Sequence, residues 1–185
     1  MDFKQVIDEV FARLDREQIR YALIGGFAMA MRGVQRATVD LDILLLRQDM
    51  DRADEIMLAR GYQLAFRSDN VSHYRATGTQ LGRVDVLHAF RGPSLAMLER
   101  AERLEVWPGT TLPVAQVEDI IGLKIQAAYN DKERADQDWL DIQSLVRTAR
   151  ASQQSLDEDL INDYLSIFGQ EHRLADIKAW YDPPE

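Results

Sequence analysis

The segment that most constrains the fold is Val39-Asp40-Leu41-Asp42-Ile43-Leu44-Leu45, an apolar run that contains two acids two residues apart. Residues two apart in a β-strand project to the same face, so a strand here places Asp40 and Asp42 side by side and Leu41 and Ile43 toward a core. Neighbouring carboxylates repel each other unless a cation neutralises them. Carboxylate oxygens suit a hard ion such as Mg²⁺ or Mn²⁺. The segment therefore predicts a buried strand that carries a metal site.

A glycine pair precedes this strand. Tyr21 to Ile24 has the pattern of a short apolar strand, Gly25-Gly26 interrupts it, and helix-forming residues follow up to Gly33. A helix entered directly from glycines exposes unpaired backbone N–H groups at its positive end, and glycine lets an anion approach the backbone closely. The turn therefore predicts a phosphate-binding element, although a plain turn has the same sequence.

Asp85 lies in a second apolar run, 82–87, which predicts a neighbouring strand. Three carboxylates on adjacent strands would hold one or two divalent ions and could place Asp85 beside an attacking hydroxyl. Arg36 and Thr38 share the alternation of Asp40 and Asp42 if the strand begins early, which would add a cation and a hydroxyl. The alternatives are solvated acids on an edge strand for the first pair and an ordinary exposed acid for Asp85.

The chain as a whole has the pattern of an α/β half followed by helices. The first half contains a helix over 50–60 and strands over 62–66, 71–76 and 83–88. The second half is predicted to be helical over 94–103, 117–129, 136–150 and 156–168, with a last helix through Ala179. We predict an α/β (α+β) fold with a catalytic core over 1–92, in which helices flank a small mixed sheet. A helical region over 93–185 is expected to pack on the core and complete the cleft.

Composition excludes several function classes. The chain has no cysteine, which excludes disulfides, thiolate catalysis and cysteine-ligated metal sites. It shows neither a basic leader nor an apolar run near the ~18 residues of a membrane span, so we expect a cytoplasmic protein without membrane contact. Residues 1–92 carry 13 basic and 13 acidic side chains, so the net charge of −9 lies in the second half. Any nucleic-acid contact is therefore expected in the first half. His73 and His88 are expected to face solvent or fill polar slots.

Lys124 stands at a core-facing position of the helix predicted from 117, and Asp138 and Asp141 head the buried stripe of the next helix. A buried lysine that faces buried acids needs a partner. We expect Lys124 to hold a triphosphate or the catalytic carboxylates, and Asp138 to position Lys124 or the nucleotide. The alternative is a purely structural ion pair.

The order and spacing of these elements resemble a known superfamily. Ile24-Gly25-Gly26 is followed after 13 residues by Asp40-Leu41-Asp42-Ile43, and later by Asp85. This pattern resembles the nucleotidyltransferases related to DNA polymerase β. The stretch 36–42 is most similar to the AbiEii toxin branch, and the stretches 119–124 and 138–142 match the Lys and Asp that this branch needs on later helices.

The resemblance implies transfer of a nucleotidyl group from a nucleoside triphosphate with Mg²⁺ or Mn²⁺ as cofactor. It assigns the metal to Asp40, Asp42 and Asp85, and catalysis to these acids together with Lys124 and Asp138. The nucleotide-binding residues that it implies are Gly25, Gly26, Arg36, Thr38 and Lys124. The toxin branch suggests RNA, including tRNA, as acceptor and an antitoxin as partner, whereas other members of the superfamily modify antibiotics such as aminoglycosides. The alternatives from other classes are an inactive nucleotide-binding or partner-binding module and a structural domain whose acids form salt bridges.

Overall fold

A computed structural model describes residues 1–76 and 80–182. The chain divides into two compact units, of which unit 1 comprises Met1–Met31 and Arg36–Ala115. Unit 2 comprises Arg32–Gln35 and the chain from Gln116 onward. Across the described ranges, no helix is both long enough and apolar enough to cross a membrane.

Unit 1 opens with a helix that contains a π-helical segment. Phe3–Val6 (α1), the π-helical Ile7–Phe11 and Ala12–Arg16 (α2) follow one another without interruption. The carboxylate of Asp2 accepts a hydrogen bond of 3.0 Å from the backbone N–H of Gln5 and so caps the first turn. The remaining helices of unit 1 are α3 (Gly25–Met31), a 3₁₀ turn (Arg47–Asp49), α4 (Met50–Ala59) and α5 (Gly92–Arg100).

A mixed sheet forms the centre of unit 1 and confirms the predicted fold class. Within the described part of the chain it has seven strands in the order β3-β4-β5-β2-β1-β7-β6. The strands are β1 (Tyr21–Ile24), β2 (Leu41–Leu46), β3 (Tyr62–Arg67), β4 (Val71–Ala76), β5 (Arg83–Ala89), β6 (Glu102–Trp107) and β7 (Thr110–Val114). The β2–β5 and β1–β7 pairs are parallel and the other pairs are antiparallel.

The central strands are the most apolar, which explains their place in the sheet. All four residues of β1 and five of the six residues of β2 are buried, and the exception in β2 is Asp42. Burial of an apolar side chain stabilises the fold by about 1.5–3 kcal/mol, so these strands are fixed at the middle of the sheet. Asp42 is therefore the polar interruption of a buried strand, as the sequence predicted.

Unit 2 is helical. It contains α6 (Val117–Asn130), α7 (Ala135–Ala151), α8 (Glu158–Ile167), a 3₁₀ turn (Glu171–Arg173) and α9 (Leu174–Tyr181). Its core is made of aliphatic side chains at helical spacing, namely Ile120, Ile121, Ile125, Ile142, Leu145, Val146, Ile161 and Leu165.

Two details differ from the sequence prediction. The helix predicted over 94–103 ends at Arg100, and β6 and β7 form a hairpin that the sequence analysis did not predict. The reason is that β6 is an edge strand with exposed charged residues, which weakens its apolar alternation. The predicted domain boundary lies at residue 92, whereas unit 1 ends at Ala115. The intervening stretch forms α5 and this hairpin.

Candidate active site

The turn from β1 into α3 brings a glycine against one of the predicted acids. Gly25 has φ +64°, a left-handed conformation that side chains other than glycine adopt at a cost. A Cβ atom at Gly25 would overlap Oδ2 of Asp42 and lie 2.7 Å from its Cγ atom. The carboxylate of Asp42 therefore fills the space that the missing side chain leaves, and both the φ angle and this contact require glycine.

The second glycine contacts the segment that precedes β2. A Cβ atom at Gly26 would lie 3.0 Å from Oγ1 of Thr38 and 3.7 Å from Nε of Arg36. The strand begins at Leu41, so Asp40 precedes it and does not share the alternation of Asp42, contrary to the prediction. The early start that would have added Arg36 and Thr38 to this alternation does not occur. Arg36 and Thr38 nevertheless lie beside the glycine turn.

Asp42 and Asp85 are direct neighbours across the sheet. They form a register pair of the parallel strands β2 and β5, so both side chains project to the same face. Both residues are half-buried. Two carboxylates in this position repel each other, and the surrounding groups must supply positive charge.

Arg83 supplies part of that charge. Its Nε atom lies 3.0 Å from Oδ2 of Asp85, and its Nη2 atom donates a hydrogen bond to Oδ2 of Asp40. Burial acts to lower the pKa of the Arg83 guanidinium, but the charges of Asp85, Asp40 and Asp42 outweigh it and raise this pKa. Arg83 therefore stays protonated and joins two of the three acids.

Two further side chains fix the acids. Nδ1 of His73 lies 2.8 Å from Oδ1 of Asp85, and because an ionised carboxylate only accepts, the imidazole donates. Oγ1 of Thr38 donates a hydrogen bond of 3.1 Å to Oδ1 of Asp40. The side chains of Asp40 and Asp85 are each 18% exposed, so they remain accessible to a ligand.

The donor chemistry of this cluster suits a hard divalent ion at Asp42 and its neighbour Asp85. Nevertheless, no group of three acidic or histidine side chains in residues 1–76 and 80–182 is arranged as a ligand set for an ion. Two of the carboxylates, those of Asp40 and Asp85, instead pair with the guanidinium of Arg83. The carboxylates therefore fit a divalent ion chemically, and Arg83 would compete with such an ion for two of them.

The predicted pair of Lys124 and Asp138 lies in unit 2 and has a third member. Nζ of Lys124 is 2.8 Å from Oδ1 of Asp138 and 2.7 Å from Oδ2 of Asp141. The side chains of Lys124, Asp138 and Asp141 are 13%, 2% and 5% exposed. One ammonium thus faces two buried carboxylates, and Oδ2 of Asp138 has no hydrogen-bond partner among the described residues.

The structure thus brings Gly25, Gly26, Arg36, Thr38, Asp40, Asp42 and Asp85 together in unit 1. Lys124 and Asp138 pair within unit 2. Sequence reasoning missed His73 and Arg83. Arg83 stands two residues before Asp85 and therefore on the same face of β5, which is a signal that could have found it. No comparable signal identified His73, because its contact with Asp85 depends on the register between β4 and β5.

Solved structures with similar folds include several nucleotidyltransferases. The antibiotic-resistance factor ANT(2'')-Ia superimposes with a TM-score of 0.65 at 20% identity, over 95% of this chain and 97% of that one. A nucleotidyltransferase-like antigen of Paracoccidioides brasiliensis gives a TM-score of 0.58 at 19% identity, over 96% and 93% of the two chains. The lincosamide adenylyltransferase LnuA, with lincomycin bound, gives 0.55 at 14% identity, over 77% and 95%. At sequence identities this low, the structural similarity shows a shared fold.

The family comparison goes further. Among curated proteins, no sequence is similar enough to count as a match. In contrast, the profile of the family described as "Nucleotidyl transferase AbiEii toxin, Type IV TA system" matches residues 10–180. That range contains the glycine turn, the three acids of the sheet and the Lys124 cluster. The chain therefore belongs to the AbiEii nucleotidyltransferase toxin family.

Proposed function

We propose that the chain transfers a nucleotidyl group from a nucleoside triphosphate to an acceptor hydroxyl or phosphate and releases pyrophosphate. The observation that carries this proposal is the contact between Gly25 and the carboxylate of Asp42, with Asp85 as the register neighbour of Asp42. It joins a turn of backbone N–H groups to a pair of acids, which are the two elements that a phosphate and its counterion need.

The chain's own residues have distinct tasks in this reaction. Gly25 and Gly26 hold phosphate oxygens close to the backbone, and Arg36 and Thr38 lie beside Gly26 as a cation and a hydroxyl donor. For an acceptor hydroxyl, its oxygen bonds to the α-phosphorus while the bond from the α-phosphorus to the bridging oxygen breaks, and pyrophosphate carries away that electron pair. Asp85, oriented by His73, accepts the proton of the hydroxyl.

Asp40 and Asp42 would hold Mg²⁺ or Mn²⁺, with Asp85 as a further ligand when it does not serve as the base. When bound, such an ion supplies positive charge to the transferring phosphate. Catalysis then rests on positioning and charge neutralisation. The roles of Lys124 and Asp138 in nucleotide binding, and the antitoxin partner that the family implies, stay predictions.

The test uses nucleoside triphosphates labelled at the α-phosphate, incubated one at a time with the protein, Mg²⁺ or Mn²⁺, and cellular RNA. We expect label on the acceptor and pyrophosphate release, both lost in Asp42→Asn. The matched control is Asp51→Asn, which removes an exposed acid of α4 in the same unit and should leave transfer unchanged.

Two outcomes would contradict the proposal. One is the absence of pyrophosphate release with every triphosphate and both ions, and the other is equal release by Asp42→Asn and the unaltered protein. Thermal stabilisation by a triphosphate without any transfer would instead favour the inactive nucleotide-binding alternative.

A further inference from the structure

A single row of side chains crosses five strands on the carboxylate face of the sheet. The register pairs are Ile24 with Asp42, Asp42 with Asp85, Asp85 with His73, and His73 with Phe66. Residues paired directly across neighbouring strands project to the same face. The row therefore leads from the glycine turn, past the acids, to an aromatic side chain on the edge strand β3.

Phe66 and His73 form a stacked pair at the end of this row. Their ring centroids are 5.4 Å apart and their planes are inclined by 27°. Phe66 is 51% exposed and the side chain of His73 is 40% exposed. A ring this exposed contributes little to the core, and its place beside the acids leaves its surface available to a ligand.

An irregularity in β3 puts Phe66 on this face. Leu64 pairs with Tyr74, and two residues later Phe66 pairs with His73, so the register shifts between Leu64 and Phe66. Regular alternation would have placed Leu64 and Phe66 on one face, whereas the bulge turns Phe66 to the side of Asp85. Bulges commonly re-aim a side chain next to an active site.

A cation lies beside the row. Arg75 is two residues after His73 in β4 and therefore projects to the same face, where its register partner is Arg83. Arg75 is exposed, and the ion pairs of residues 1–76 and 80–182 give it no acidic partner. A guanidinium at such a position can bind a phosphodiester.

We propose that Phe66 and His73 form the acceptor subsite, where a nucleobase of a single-stranded acceptor stacks while Arg75 contacts its backbone. This inference rests on the proposed function and names the acceptor class. Phe66 is two strands from Asp85, about 10 Å away at the usual strand spacing, and on the side opposite to the glycine turn. The glycine side is thereby left to the donor triphosphate, and the aromatic side to the acceptor. Every nucleobase has a π-face for this stack, so the subsite would accept a base of any identity.

The experiment measures the affinity of the full chain for a fluorescein-labelled oligoadenylate RNA by anisotropy, without triphosphate or divalent ion. Base stacking on an aromatic side chain is worth about 1–3 kcal/mol, so Phe66→Ala should weaken binding about tenfold. Phe66→Trp, which restores an aromatic ring, should bind like the unaltered chain. Leu64→Ala is the matched control, because Leu64 is an apolar residue of the same strand that is 41% exposed and pairs on the opposite face.

Two further ligands show whether the Phe66 ring binds the acceptor or the donor. An abasic strand of equal length should bind about tenfold more weakly than oligoadenylate. ATP affinity should be the same in Phe66→Ala and Leu64→Ala. A loss of ATP affinity in Phe66→Ala with unchanged RNA affinity would assign the ring to the donor and overturn the proposal.

The proposal is also overturned if oligoadenylate does not bind, if the abasic strand binds equally well, or if Phe66→Ala and Leu64→Ala bind alike. Because RNA binding is measured without a donor triphosphate, the outcome for this subsite does not depend on whether the chain transfers a nucleotidyl group. A chain that binds the strand through Phe66 but transfers nothing would contradict the proposed function while leaving this subsite in place.

Discussion

The contact between Gly25 and Asp42 allows a quantitative test of the site. Gly25→Ala introduces two separate penalties. A side chain in the left-handed region costs roughly 1–2 kcal/mol, and the added Cβ atom would lie 2.7 Å from Cγ and 2.8 Å from Cβ of Asp42. Overpacking of this kind typically costs about 1–3 kcal/mol. The two together lower the free energy of unfolding by about 2–5 kcal/mol.

Gly109→Ala is the matched control. Gly109 has φ +81°, and no atom lies within 4 Å of the position of its Cβ atom. It therefore suffers the backbone penalty without the overlap, and its expected loss is about 1–2 kcal/mol. The difference between the two variants measures the contact with Asp42.

A double-mutant cycle isolates this contact. In an Asp42→Gly background the three atoms nearest to a Cβ at Gly25 are absent, so Gly25→Ala should then cost little more than the backbone penalty. The coupling free energy between positions 25 and 42 is expected to be about 1–3 kcal/mol.

Urea unfolding, followed by circular dichroism and by tryptophan fluorescence, gives these free energies where the two signals coincide. Thermal stabilisation by a triphosphate measures nucleotide binding. Gly25→Ala should lose this stabilisation, and Gly109→Ala should keep it. Equal losses of stability in Gly25→Ala and Gly109→Ala, or the same cost of Gly25→Ala with and without Asp42, would refute the reasoning.

Three other predictions concern charged groups. Arg83→Gln should raise the affinity for Mn²⁺, measured by electron paramagnetic resonance, because Arg83 competes for Asp40 and Asp85. The control Arg67→Gln breaks a pair with Asp54 and should leave the Mn²⁺ affinity unchanged. Equal Mn²⁺ affinities in the two variants would contradict this prediction. Lys124→Met should lower the free energy of unfolding by about 3–5 kcal/mol in urea, since it leaves Asp138 and Asp141 buried without their cation. Adding Asp138→Asn and Asp141→Asn should restore most of that loss, and an unchanged stability of the single variant would show that the acids do not need the ammonium. Burial, together with the charges of Arg67 and Arg47, lowers the pKa of His88. The folded state therefore binds fewer protons than the unfolded state, so the free energy of unfolding should fall as the pH drops below about 6.5 toward the lowered pKa. His88→Gln should flatten this dependence in thermal melts, and parallel curves for both proteins would contradict it.

The local elements of the site could be predicted from sequence because each depends on neighbours in the chain. The strand before Gly25, the helix after it and the apolar surroundings of Asp42 and Asp85 all follow from residue type and spacing. A glycine pair alone predicts no more than a turn, and its spacing from Asp40 and Asp42 is what made phosphate binding the prediction at this position.

The contacts between strands could not be predicted in the same way. That His73 meets Asp85, and that Phe66 meets His73, depends on two registers and on the bulge in β3. The β6–β7 hairpin was missed because an exposed edge strand loses the apolar alternation that identifies strands. Helical periodicity predicts that Lys124 faces Asp138. The second contact of Lys124, with Asp141, depends on how α6 and α7 cross.

The charges of the sheet cluster allow a test that distinguishes an active site from a set of structural salt bridges. Asp40, Asp42 and Asp85 bring three carboxylates together, and Arg83 pairs with Asp40 and Asp85. A triphosphate that approaches Gly25 meets the carboxylate of Asp42 directly, so the negative charge of the cluster opposes its binding. If a divalent ion binds here as proposed, it removes that opposition, so nucleotide affinity should rise with the concentration of Mg²⁺ and the rise should disappear in Asp42→Asn. If the acids served only to hold Arg83, nucleotide affinity would not respond to the ion.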